Sequence, residues 1–254
     1  MLHNYHTHTF RCKHAVGKDK EYVENAIKRG LKTLGFSDHS PFFKGYDTHS
    51  SFRMSEEDMF EYAESVHSLQ KEYEKDIRIL LGFEQEYYPE YHKEKMKFLN
   101  QVKPDYLLLG QHYIGNESAG VVSAGQPTED FALVAYVNQV IAGMNTGDFL
   151  YVAHPDVAGF RYSDETIERE YRRLCQAAKK ENIPLEINLL GVLGNRHYPN
   201  KRFFKIVAEV GNAVVLGIDA HDPNWILSED AEKAEKKALE MVNELKLNLV
   251  EKLI

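Results

Sequence analysis

At 254 residues, with 39 acidic against 31 basic side chains, the chain carries a formal charge of -8, which repels a polyphosphate backbone and argues against nucleic-acid binding as its main task. Hydrophobic residues make up 43% and aromatic residues 11%, enough for a sizeable core and outside the compositional range of disorder, while no apolar run approaches the roughly 20 residues of a membrane span. One α/β domain over 1–254 is expected, in the cytoplasm, with Cys12 and Cys175 as reduced thiols and no signal peptide at the histidine-rich start.

Short apolar runs alternate with longer amphipathic stretches along the whole chain, the pattern of βα units around a parallel sheet. Strands are predicted at 2–5, 33–36, 77–83, 106–109, 149–153, 185–188 and 213–218, and helices at 18–29, 55–73, 91–101, 129–144, 164–181, 200–209 and 229–245. In the last helix Ser228 is the predicted cap, and Ala231, Ala234, Ala238, Met241 and Leu245 form the apolar stripe. Seven such units suit either a closed barrel or an open doubly wound sheet, and in both the function sits at the carboxyl ends of the strands. The longest connection, SPFFKGYDTHSSFR at 40–53, reads as a lid or substrate wall.

Side chains two apart on a strand share a face, so His6 and His8 can reach one ion from a single backbone segment, whereas His3 stands at odd spacing and points away. An HxH pair is a weak signal alone. The remaining candidates stand at the ends of the other predicted strands: His39 in SDHS, Glu84 in GFEQEY, His112 in LLLGQHY, His154 in YVAHPD, and Asp219 with His221 in GIDAH. His14 follows the first strand, so seven of the twelve histidines and two carboxylates gather at one rim. Imidazoles crowded together without a cation leave ring nitrogens in need of partners, which metal ligation supplies. Nine ligands exceed the about four of a zinc site, so two or three ions are expected. Imidazoles with two carboxylates suit zinc, iron or manganese rather than calcium or magnesium. His49, His67, His92 and His197 fall in helices or loops, where a solvated role is ordinary.

These motifs, in order and over essentially the whole chain, resemble those of the polymerase and histidinol phosphatase (PHP) superfamily: HTH at His6, the separate His14, SDH at His39, GFE at Glu84, QH at His112, AHP at His154 and DAH at Asp219. The resemblance implies a distorted (β/α)7 barrel of the PHP type with a trinuclear metal site at the C-terminal rim of its strands. On that pattern His6, His8, Glu84 and Asp219 hold one ion, Glu84 bridges to a second held by His112 and His154, and His14, His39 and His221 hold the third. SFRMSEEDMFEY, ILLGFEQEYYPEY and VAHPD are similar to the branch of stand-alone histidinol-phosphate phosphatases; Gln111 before His112 departs from its pattern. That branch implies a small phosphorylated substrate, L-histidinol phosphate of histidine biosynthesis, hydrolysed by a metal-bridging hydroxide in a monomer or homodimer.

Phosphomonoester hydrolysis needs a nucleophile and neutralisation of the phosphoryl oxygens. Glu84 and Asp219 serve it by holding the ions. Arg161 in HPDVAGFRYS and Arg196 in LLGVLGNRHYPN, both in rim loops, are the predicted phosphate clamp because a planar guanidinium binds two oxygens at once. Arg53 is a third candidate, with a structural role at a helix start as its alternative, and His197 is a candidate proton donor, with a metal-held water as the alternative. Phe42, Phe43, Tyr46 and Phe52 offer stacking faces to the substrate, and Asp47 or Glu117 a counter-charge; a hydrophobic cap on the barrel is the competing reading. Asp38 is expected to orient an imidazole. Other substrates of the same fold, a nucleotide bisphosphate or phosphotyrosine, remain as alternatives, as does a non-catalytic metal-binding module. An amidohydrolase-type enzyme is disfavoured because His112 stands where a metal-bridging lysine would be needed.

Overall fold

The computed structural model describes residues 1–41, 52–116 and 122–254. Its centre is a parallel sheet containing β1 (His3–Asn4), β2 (Thr33–His39), β3 (Arg78–Gln85) and β4 (Tyr106–Leu109). After the antiparallel pair β5 (Tyr113–Ile114) and β6 (Val122–Ser123), the sheet continues with β7 (Tyr151–Val152), β8 (Leu185–Asn188), β9 (Ala213–Gly217) and β10 (Asn248–Leu249). Each crossover adds the next strand on the same side and the order never reverses, which excludes the doubly wound alternative. The sheet curls until the chain leaving β1 meets the chain leaving β9: Thr7 bridges Ala220 in parallel, and His8 N donates to Ala220 O at 2.9 Å. The result is the distorted barrel expected from the sequence, drawn together at the rim where the candidate ligands stand.

All seven predicted strands are present, and 106–109 and 185–188 coincide with β4 and β8. The eighth strand of the sheet, β10, is unpredicted; it pairs only Ala213 and Val214, at the end of β9 away from the rim, and the short alternation LKLNL at 245–249 that marks it overlaps the end of the last helical pattern. The helices are α1 (Asp19–Arg29), α2 (Glu56–Glu72), α3 (His92–Leu99), α4 (Asp130–Met144), α5 (Asp164–Lys180), α6 (Leu189–Leu193), α7 (Lys201–Val210), α8 (Pro223–Leu227) and α9 (Glu229–Leu245). Of these, α6 and α8 are unpredicted, being five residues each and too short for a helical period to show. Ser55 caps α2 reciprocally with Asp58, and Ser228 Oγ accepts from Ala231 N at 3.0 Å as expected. In α9 Val242 is buried while Met241 and Leu245 are half-buried, so past Ala238 the inward stripe passes through Val242 rather than the predicted Met241.

Two cores hold the barrel. Outside the sheet, Phe36, Leu81, Phe83 and Leu109 pack against helix residues such as Val66, Val137 and Leu174. Inside it, Tyr5, Leu80, Tyr106, Leu108, Tyr151 and Val215 fill the interior below the rim. The Tyr106 hydroxyl lies 2.7 Å from Tyr5 O and 3.0 Å from Phe36 O, and Gly35 leaves the room for it: a Cβ there would meet that oxygen at 2.3 Å. A filled interior is what lifts polar side chains to the rim. Among the described residues no helix is long and apolar enough to cross a membrane.

Candidate metal centre

The nine predicted ligands converge on the C-terminal rim. His39 and Glu84 stand in register on β2 and β3, His6 and His8 on the segment bridged to Ala220, His112 just past β4, His154 past β7, and Asp219 and His221 past β9. His154 and Asp219 both adopt left-handed backbone, with φ of 29° and 54°, strain that non-glycine residues rarely carry and that concentrates at functional sites. Glu84 reaches the centre because the residue just past β4 is Gly110: a Cβ at that position would lie 1.9 Å from Glu84 Oε1.

Around His6 and His8 the spacing is that of a coordination shell. Nε2 of His6 is 3.2 Å from Nε2 of His8, 3.5 Å from Asp219 Oδ1 and 3.7 Å from Glu84 Oε2; Nε2 of His8 is 3.2 Å from Asp219 Oδ1 and 3.5 Å from Glu84 Oε2. A tetrahedron with metal–ligand bonds of about 2.0–2.1 Å has edges of about 3.3–3.4 Å. The other Glu84 oxygen, Oε1, faces His154 Nε2 at 2.8 Å and His112 Nε2 at 3.5 Å. The third trio, His14, His39 and His221, also brings its donor atoms within 4.8 Å of one another. There His14 Nδ1 lies 2.9 Å from Cys12 O and His221 Nδ1 3.0 Å from Asp219 O, so each Nδ1 donates its proton to a carbonyl. Their Nε2 lone pairs then face each other at 2.9 Å, an arrangement that calls for a cation between them. Glu84 Oε2 and Asp219 Oδ1 are buried without a hydrogen-bond partner among the described residues. The donor set therefore fits metal ions.

The electrostatics agree. Burial raises the Asp219 carboxyl, but His6, His221 and His8 outweigh it and hold it well below its usual range; Glu84 is held low against burial by His112, His39 and His6. At His6 burial, which lowers the pKa, is overcome by the carboxylates of Glu186, Asp219 and Glu84, and at His8 by Asp219 and Asp38, so both are pushed well up. Burial prevails at His39, which lies well below its ordinary value, and at His221, lowered to about 3. The centre thus demands positive charge beside His6 and His8 and neutral lone pairs at His39 and His221, and divalent cations satisfy both demands at once.

Several residues behind the ligands escape the sequence reading. Fully buried Glu186 on β8 accepts from His6 Nδ1 at 2.7 Å, from the His154 backbone N–H at 2.9 Å and from Asn188 Nδ2 at 3.0 Å; Asn188 Nδ2 also reaches Asp219 Oδ2 at 3.1 Å. The polar pair Glu186 and Asn188, alternating with Leu185 and Ile187 in the strand LEIN, was the available signal. Glu86 accepts from His112 Nδ1 at 2.9 Å and pairs with Arg53, which holds the Glu86 carboxyl down to about 2 against its burial. Arg53 is itself 1% exposed and also donates to Ser40 O at 3.3 Å, so its placement is the structural alternative rather than a phosphate contact. Asp38 faces His8, with Oδ1 3.5 Å from Nδ1.

The rim encloses a cavity of about 370 Å³. Arg196 lines it, with Nη1 donating to Tyr198 Oη at 2.6 Å, and Phe52, Tyr113 and Trp225 form its aromatic wall. Only half of the predicted clamp arrives: Arg161 is exposed and outside the lining, because the Gly125 and Gln126 carbonyls take its guanidinium, the latter at 2.8 Å. His197 also stands apart from the cavity, its Nε2–H donating to Val157 O at 2.7 Å. Phe42 and Tyr46, with Phe43, Asp47 and Glu117, lie outside the described residues.

Comparison with known proteins places this geometry in a family. A model of the PHP domain matches residues 4–189. A curated relative, the probable histidinol-phosphatase of Deinococcus radiodurans, is 29% identical over 87% of this chain and 86% of its own length. The probable histidinol-phosphatase of Schizosaccharomyces pombe is 24% identical over 87% of this chain and 81% of its own. Among solved structures, the histidinol phosphate phosphatase of Lactococcus lactis, in complex with zinc, L-histidinol and phosphate, is similar in fold, with a TM-score of 0.76 at 20% identity over 98% of this chain and 95% of that one. With His6, His8, His14, His39, Glu84, His112 and His154 all inside the matched span, the chain belongs to the PHP domain family.

Proposed function

We propose that the chain is a cytoplasmic metal-dependent phosphomonoester hydrolase that converts L-histidinol phosphate and water to L-histidinol and phosphate. The observation that carries the reading is the convergence of eight of the nine histidine and carboxylate candidates with one arginine, Arg196, on a single cavity, the ninth, His6, being buried beside His8. The names of the two curated relatives support the choice of this phosphomonoester among others. His6, His8, Glu84 and Asp219 would hold one ion, Glu84 with His112 and His154 a second, and His14, His39 and His221 a third, as zinc, iron or manganese. When bound, such ions supply an activated water and counter-charge for the phosphoryl oxygens.

The chain's own residues do the rest. The Arg196 guanidinium presents a planar fork to the phosphate, and its bond to Tyr198 Oη orients the fork toward the cavity. Phe52, Tyr113 and Trp225 offer faces on which an imidazole or ammonium group can rest. Glu186, Glu86 and Asp38 fix the ring orientations of His6, His112 and His8, so the ligand lone pairs stand ready before substrate arrives. The test is a side-by-side assay of histidinol phosphate, nucleotide 3',5'-bisphosphates and phosphotyrosine peptides, with metal content measured on the same sample. Preference for histidinol phosphate is expected. A clear preference for either other class refutes the substrate, and turnover by metal-free protein refutes the reaction type.

A further inference from the structure

The three ligand sets are unequally backed. In the set of His6, His8, Glu84 and Asp219 every residue is at most 4% exposed, two carboxylates contribute negative charge, and Glu186 takes the His6 Nδ1 proton at 2.7 Å. The second set shares Glu84, and Glu86 takes the His112 Nδ1 proton at 2.9 Å. A carboxylate behind a metal-bound imidazole raises its basicity and locks its orientation.

The third set has neither advantage. His14, His39 and His221 bring three imidazoles and no carboxylate of their own; His14 is exposed, and the Nδ1 protons of His14 and His221 go to backbone carbonyls. Carboxylates reach it only from the other sets: His39 Nδ1 lies 3.1 Å from Glu84 Oε2 and His221 Nδ1 3.4 Å from Asp219 Oδ1, and the first set already holds both groups. A cation entering this set loses water in return for neutral donors at a solvent-facing edge, while the other two enter a buried, negatively charged pocket.

We infer that the centre loads and empties unequally, with two retained ions and one exchangeable ion held by His14, His39 and His221. This rests on the three-ion reading above. Loss of the exchangeable ion leaves the two-ion core and the barrel intact, so the availability of metal sets how much of the protein is complete at any moment.

The test follows zinc alone. The folded chain is loaded with zinc, freed of excess, and mixed with a chromophoric chelator while zinc released per chain is recorded. One equivalent should leave at least about tenfold faster than the other two. In His14→Asn the fast equivalent should vanish and the slow pair persist. In Glu186→Gln, with folding verified by circular dichroism, the slow phase should quicken by about 10–100-fold and the fast phase stay unchanged. Release of all three in one phase, a fast equivalent surviving in His14→Asn, or an unaltered slow phase in Glu186→Gln overturns the inference. Fewer than three zinc ions per chain at loading overturns instead the three-ion reading beneath it.

Discussion

Replacing Gly110 by alanine places a methyl carbon 1.9 Å from Glu84 Oε1 and 2.5 Å from both Cδ and Cγ of the same side chain. Ordinary contact begins at 3.4 Å, so the carboxylate must retreat by about 1.5 Å or the strand end must shift. Glu84 is 1% exposed and packed among His6, His8, His39, His112 and His154, so it has no open side to retreat into. Overpacking of this kind costs about 1–3 kcal/mol of stability. The larger effect is on the site, because a displacement near the length of a metal–oxygen bond, about 2 Å, takes Glu84 out of the bridging position proposed for it, and a misplacement of about 1 Å can lower turnover about 100-fold. Gly110→Ala should therefore fold with a lowered melting temperature, carry less zinc per chain, and hydrolyse histidinol phosphate at least about 100-fold more slowly. Wild-type zinc content together with turnover within about threefold of wild type would refute the argument that Gly110 exists to admit the Glu84 carboxylate.

Three further outcomes follow from particular contacts. Arg196→Ala should lower kcat/KM about 100- to 1,000-fold with metal content unchanged, since it removes the charged donor that lines the cavity proposed to take the phosphate; a parallel loss of zinc would show instead that the arginine supports the metal centre. Arg53→Met leaves the Glu86 carboxylate buried without its cation and should destabilise the fold by about 3–5 kcal/mol in chemical denaturation, a value below about 1 kcal/mol contradicting the pairing. At Glu235 burial, which raises the pKa, is outweighed by the Met1 amino group and by Arg29 at 2.6 Å, so the folded pKa is depressed below its ordinary 4.5. A depressed folded pKa stabilises above the unfolded value and is lost as pH falls through the folded one. Glu235→Gln should thus be less stable than wild type by about 1 kcal/mol near pH 7 and indistinguishable from it in strong acid, whereas a gap that widens on acidification would reverse the assigned sign.

The rim positions of the candidate ligands were legible because strand-end position is a local property. The apolar runs ending in His39, Glu84, His112, His154 and Asp219 announce both the strand and its rim, and period-two spacing puts His6 and His8 together. Arg161 and Arg196 look alike by the same logic, each in a loop just past a strand. They part company only in space, where the Gly125 and Gln126 carbonyls claim Arg161 and Tyr198 steers Arg196 into the cavity. Arg53 was ambiguous for the same reason: nothing near it in sequence names Glu86 as its partner.

By itself the sequence determined the βα alternation and which nine histidines and carboxylates stand at strand ends as candidate ligands, since hydrophobic period and residue chemistry operate over a few neighbouring positions; the unreversed order of the strands came from the tertiary structure. The tertiary structure alone decided that the sheet closes through Thr7 and Ala220, and that the unpredicted β8 pair of Glu186 and Asn188 stands behind ligands from other strands. Those contacts join residues far apart in the chain, 180 positions for Glu186 with His6 and 207 for His14 with His221. Hydrogen bonds and metal-ligand spacing are matters of a few tenths of an ångström, and only the packed barrel fixes distances of that order between segments so remote.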